Sequence, residues 1–177
     1  NCAEGTGATV ETARALTSLI DEGELPEPKR SITFIIGCEG PVSEQYLEHN
    51  PDAEAEVQAA LNYCSAGHKQ SETKSTLLVS QSPDSVPSYL NDYLADVMDA
   101  VPKEADWIGK EGGQELPLLS MTQHYYTPWS DNTRLAAAGI PTALFMSWPD
   151  RHFHSQFLTE EVIDPAALRR SSVVSGV

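Results

Sequence analysis

The sequence predicts an α/β sandwich built on a mixed β-sheet. Three observations carry this reading. Runs rich in β-branched and aromatic residues recur at strand length, as in Ser31 to Gly37 (SITFIIG), Ser75 to Gln81 (STLLVSQ) and Ile140 to Met146 (IPTALFM). Between them lie longer stretches with apolar residues at helical spacing. The order helix, strand, helix, strand, strand, helix, strand, helix is that of helices layered on a sheet. At 177 residues the chain is long enough for one domain with a sizeable core.

Asn1 to Gly7 (NCAEGTG) reads as a small polar turn. Ala8 to Ile20 follows as a helix, with Val10, Ala13, Leu16, Thr17 and Ile20 on one mostly apolar face. Gly23 and the prolines at 26 and 28 stop it. Ser31 to Gly37 is expected to be a central strand. Val42 to Glu48 is a short helix, broken at Asn50-Pro51, and Ala53 to Glu56 an acidic turn. Val57 to Cys64 (VQAALNYC) reads as a strand, although its alanines also suit a helix. Ser65 to Thr73 is polar loop and Ser75 to Gln81 the next strand. Ser82 to Pro87 turns into a helix over Ser88 to Val101, with Leu90, Leu94, Val97 and Val101 on one face. Pro102 to Leu116, rich in Gly and charge, is a long loop of the kind that lines sites. Leu116 to Thr122 is a short strand, Thr127 to Thr133 a loop, Arg134 to Ala138 a helical turn and Thr142 to Met146 the last strand. Asp164-Pro165 opens a final helix, with Pro at its first position, still running at Val177.

A formal charge of −15 argues against nucleic acid and against anionic membranes as partners, because both need a basic face. An acidic shell suits solubility and favours cationic peptide termini. No apolar run approaches a membrane span, and no charged-then-apolar leader opens the chain. The three cysteines, Cys2, Cys38 and Cys64, do not look like a disulfide framework and favour a reducing, cytoplasmic setting.

Chemistry-bearing residues gather just past strand ends. His152 and His154 follow the Ile140 to Met146 strand. Neutral imidazoles there suit a metal ion, and equally suit hydrogen bonds to loop backbone. Glu39 follows Ser31 to Gly37, at the carboxyl end where open α/β sheets bind ligands. A carboxylate there can deprotonate a water, or cap the helix beginning at Val42. Cys64 lies within LNYCSAG and stands four residues before His68, a Cys-x3-His spacing; it is a thiolate donor to zinc or a small buried apolar side chain. Asp131 suits a supporting role near a site, or an N-cap ahead of the Arg134 turn.

Residues 130–165 (SDNTRLAAAGIPTALFMSWPDRHFHSQFLTEEVIDP) resemble the end of the catalytic domain in zinc-dependent aminopeptidases of metallopeptidase family 28. There the pattern runs Ser-Asp-His, a Gly-Ile/Val-Pro strand, Trp-Pro-Asp-(Arg/Lys)-aromatic-aromatic-His-Thr and a Val-Asp-Pro helix start. CEGPVSEQYL (Cys38 to Leu47) is similar to the Pro-Glu variant of the family's Glu-Glu segment. LNYCSAG (Leu61 to Gly67) is similar to Leu-Asn-Leu-Asp-Met-Val-Gly, and NCAEG with ATVETARAL to the Asn-Asp-Asn-Ala-Ser-Gly turn and its helix. Ser82 to Asp92 (SPDSVPSYLND) resembles a further family segment without chemistry.

The resemblance implies a three-layer sandwich around a mixed central β-sheet, zinc-exopeptidase-like (phosphorylase/hydrolase-like). It implies one catalytic-type domain over residues 1–177, lacking its N-terminal part and ending within a helix. The implied reaction is hydrolysis of N-terminal peptide or related amide bonds through a metal-bound water. One or two zinc ions would be held by His154 and Cys64, with Glu39 as general base, or as a direct ligand, and Asp131 as a substrate-binding or supporting group. The substrate would be a peptide or a small amide. The chain also departs from the pattern. Asn1 and Cys64 stand where the family has aspartates, Asn132 where it has histidine, Leu158 where it has aspartate, and only one glutamate follows the strand. Those departures imply an alternative: a divergent, non-catalytic, metal-free scaffold serving as a binding or assembly module.

Overall fold

A computed structural model describes residues 3–104 and 120–176. Four strands form one mixed sheet: β1 (Ala60–Tyr63), β2 (Thr76–Ser80), β3 (Met121–His124) and β4 (Thr142–Trp148), in the order β1-β4-β2-β3. β4 runs parallel to β1 and antiparallel to β2, and β2 runs parallel to β3. The helices are α1 (Ala3–Asp21), α2 (Pro41–His49), α3 (Ala53–Glu56), α4 (Gln70–Thr73), α5 (Leu90–Glu104), α6 (Asn132–Ala137) and α7 (Pro165–Gly176). No helix among the described residues is long and apolar enough to cross a membrane.

β4 is the keel because both its faces are covered. It is buried from Thr142 through Ser147, as its near-continuous apolar sequence requires. On one face Ala143 and Phe145 pack with Leu77, Val79, Leu94, Val97 and Val174, drawn from β2, α5 and α7. Phe145 is fully buried and stacks on Tyr63 at 4.9 Å, while the Tyr63 hydroxyl donates to the Ser171 carbonyl of α7. On the other face Leu144 and Met146 pack with Cys64, Trp148 and Phe153. Helices α1, α5 and α7 pack together on the first side, and α6, with α2 against it, on the second. The result is the expected three-layer sandwich. Each fully buried large apolar side chain contributes about 1.5–3 kcal/mol.

Two expectations are corrected. Ser31 to Gly37 is not a strand. It joins no strand among the described residues and is exposed throughout, with Ile32 at 53% and Ile36 at 54%. Strand propensity measures the fit of a side chain to a pleated, half-buried surface, and among the described residues no strand pairs with this segment to make one. The opening turn is also absent: α1 already begins at Ala3. Gly5 allows this early start, because a Cβ there would meet the Cys64 carbonyl at 2.7 Å. The first turn of α1 therefore rests directly on the end of β1. Smaller shifts place a helical turn, α4, in the expected Ser65 to Thr73 loop and carry β3 to His124, past the expected end at Thr122, while residues 116–119 of that expected strand lie outside the described residues. Most of the expected 102–116 loop lies outside the described residues.

Candidate functional site

β1 and β4 are parallel neighbours, so their carboxyl ends share one rim of the sheet. Cys64 follows β1 directly, its N–H donating to the Phe145 carbonyl at 3.1 Å. From β4 the chain passes through Trp148 and a cis Trp148–Pro149 bond into the loop bearing His154. At this rim lies a cavity of about 620 Å³. Glu39, Cys64 and His154 all line it. The carboxylate and the imidazole expected to share a site, together with the expected thiol, are thus brought to one opening. Cys64 is buried, and Glu39 and His154 are exposed.

The cavity walls are aromatic. Trp148 sits edge-on to Trp129 at 5.1 Å and to Phe153 at 5.3 Å. Such edge-to-face pairs are rigid and apolar, and restrict water around the polar groups set among them. His154 stacks on Phe153 with ring centroids 3.9 Å apart. Its backbone takes φ 53, a left-handed conformation costly for a side chain with a Cβ. Strain of this kind gathers at sites where position matters more than stability. His152 does not reach the cavity wall. Its N–H donates to Asp150 Oδ1 at 2.7 Å and its ring leans toward Phe157.

Of the two roles expected for Asp131, the cap on its own helix is absent. Asp131 stands at the N-cap position of α6 but makes no side-chain cap there. Its Oδ1 instead accepts from the Gly40 N–H at 3.0 Å and the Ser43 N–H at 3.3 Å, at the start of α2. Gly40 has φ 84, which allows the sharp turn from Glu39 into Pro41. Asp131 therefore anchors the turn that presents Glu39, without lining the cavity itself.

Sequence reading missed one buried cluster. His68, 2% exposed, has Nδ1 hydrogen-bonded to Asp150 Oδ2 and Nε2 2.8 Å from Glu4 Oε1. Burial alone would lower its pKa, but the Glu4 and Asp150 carboxylates outweigh burial and raise it. The local Cys64-x3-His68 spacing gave no hint of this, because the ring turns to α1 and to the β4 loop.

A catalytic zinc ion takes three protein ligands and a structural one four. Cys64 and His154 are donors of the right chemistry. Among the described residues, however, no three His, Cys, Asp or Glu side chains are grouped so as to hold one ion. The described donor set does not fit a zinc centre.

No protein-family model and no curated protein sequence matches the chain. Solved structures do. An aminopeptidase from Aneurinibacillus sp. strain AM-1 is similar at TM-score 0.54 and 17% identity, over 77% of this chain and 28% of its own. A zinc aminopeptidase from Bacillus subtilis gives 0.54 and 18%, over 77% and 31%. A Clostridium acetobutylicum structure gives 0.57 and 13%, over 99% of this chain and 35% of its own. This chain has a zinc-exopeptidase-like fold. It spans about a third of the length of the structures it resembles.

Proposed function

We propose that this chain forms part of an aminopeptidase-like hydrolase whose substrate, a peptide or small amide with a free amino end, enters the rim cavity. The observation that supports this most is the meeting of Glu39, Cys64 and His154 on one cavity at the carboxyl ends of β1 and β4. Glu39 acts as the base: it takes a proton from the attacking water and returns it to the leaving amine. Trp129, Trp148 and Phe153 hold the substrate's apolar part and restrict bulk water. Asp131 keeps Glu39 in place through α2. The acidic chain attracts the cationic amino end. Family likeness would add zinc, with Cys64 and His154 giving two of its ligands, but the described donors do not complete a site.

A second reading is favoured by that same shortfall of donors. In it the fold is a non-catalytic module that binds a peptide end without cleaving it. Elemental analysis of the purified protein, alongside hydrolysis of unblocked aminoacyl amides, separates the two. Bound zinc with turnover supports the hydrolase. Neither zinc nor turnover, with peptide binding retained, supports the module.

A further inference from the structure

Two carboxylates flanking one buried imidazole are expensive to assemble and have no part in the cavity itself. We propose that Glu4, His68 and Asp150 form a charged clamp in which a protonated His68 ties the first turn of α1 to the loop that carries His154. The inference goes beyond the reading above, and holds whether the cavity cleaves its ligand or only binds it.

The geometry gives each member one task. Asp150 uses both oxygens: Oδ2 meets His68 Nδ1, and Oδ1 accepts the His152 N–H at 2.7 Å. That second bond opens the turn whose next steps are Phe153 N–H to the Asp150 carbonyl and Ser155 N–H to the His152 carbonyl. His154, with its left-handed backbone, sits inside this turn. Glu4 reaches His68 from the other side, because Gly5 lets α1 lie against the end of β1. His68 itself is fixed by a backbone bridge to Ile163.

A neutral imidazole has one N–H and can donate to only one of the two carboxylates. The other would be left as a buried negative group facing a lone pair. A protonated ring is attracted by both carboxylates, through a hydrogen bond at Nδ1 and through a charge contact of 2.8 Å at Nε2, so the arrangement favours the charged form. Arg170 of α7, a buried positive charge, borders the same small space as His68. Asp164, before α7, is turned to the Ala166 N–H. Lys69 pairs outward with Glu72, and Arg151 is exposed.

The test uses the intact chain. Nitrogen-15 spectra of labelled histidine read the His68 ring directly, and hydrogen exchange at matched pH reads the amides of 150–158. The expected result is a His68 midpoint above the roughly 6.5 of a free imidazole. His68→Gln and, separately, Asp150→Asn should speed exchange across 150–158 at least tenfold while leaving β2 and α5 protected. As pH rises through the His68 midpoint, wild type should approach the exchange of the His68→Gln protein. A His68 midpoint at or below that of a free imidazole overturns the proposal, as does unchanged exchange in 150–158 in a folded variant. A difference between wild type and variant that is the same on both sides of the midpoint also overturns it, since packing alone would then account for the loop's order.

Discussion

The Asp131 carboxylate and the Gly40 amide, 91 residues apart in sequence, are joined by a 3.0 Å hydrogen bond at the start of α2. With the Ser43 N–H at 3.3 Å, it satisfies two donors that the helix cannot satisfy internally. Asp131→Ala should therefore destabilise the chain by about 1 kcal/mol, the typical loss for a helix cap. Asp131→Asn keeps the accepting oxygen and forfeits only the charge at the helix N-terminus, so it should cost less, about 0.3–1 kcal/mol. Urea unfolding of both variants measures the two losses. Under the hydrolase reading both should also lower turnover, because Glu39 sits one residue before Gly40.

His154 offers a separation of stability from function. Its φ of 53 penalises any residue with a Cβ and spares glycine. His154→Gly should be more stable than His154→Ala by about 1 kcal/mol. Both should lose ligand affinity in the cavity equally, since both remove the ring. Equal melting temperatures for the two variants would show that the backbone relaxes on its own.

The exposed segment at 32–36 makes a sharp contrast with the core. Replacing Ile32 and Ile36 by threonine should change stability by less than about 0.5 kcal/mol each, as at ordinary surface positions. Phe145→Ala, at the centre of the sheet, should cost about 3–5 kcal/mol. A large loss at Ile32 or Ile36 would mean that a partner covers the segment in solution.

How much was legible in the sequence follows the same division. β4 was readable because an apolar run between Gly139-Ile140-Pro141 and Trp148-Pro149 needs no partner to declare itself buried. Glu39, Cys64 and His154 were found because each directly follows a strand-like run or a family-like segment. Ser31 to Gly37 failed for the converse reason: its composition records a taste for pleated surroundings, and pairing is a property of a second segment. Asp131 was seen as a capping residue, but the helix it caps lies far off in sequence. The Glu4, His68 and Asp150 cluster was invisible, since three positions spread over a 147-residue span of chain meet only through the docking of α1 on β1 and the turn after β4.

The His68 cluster also sets a pH dependence. Its pKa is raised in the fold, so the stabilisation is fully present below the unfolded midpoint of about 6.5 and is lost as pH rises through the folded value. The gap in melting temperature between wild type and His68→Gln should therefore be widest on the acidic side of that window and shrink above it. Calorimetric scans from slightly acidic to alkaline pH measure the gap; a gap that widens with rising pH would reverse the sign of the linkage.

The central claim is that Glu39 serves the rim cavity as its base. The most direct measurement is the initial rate of hydrolysis of an unblocked aminoacyl amide by wild type and by Glu39→Gln, at equal zinc loading and with folding checked. The account predicts that the variant falls by about 10²–10⁴-fold, with its KM little changed. Equal rates for the two proteins, or no turnover by a folded, zinc-supplied wild type, would contradict it.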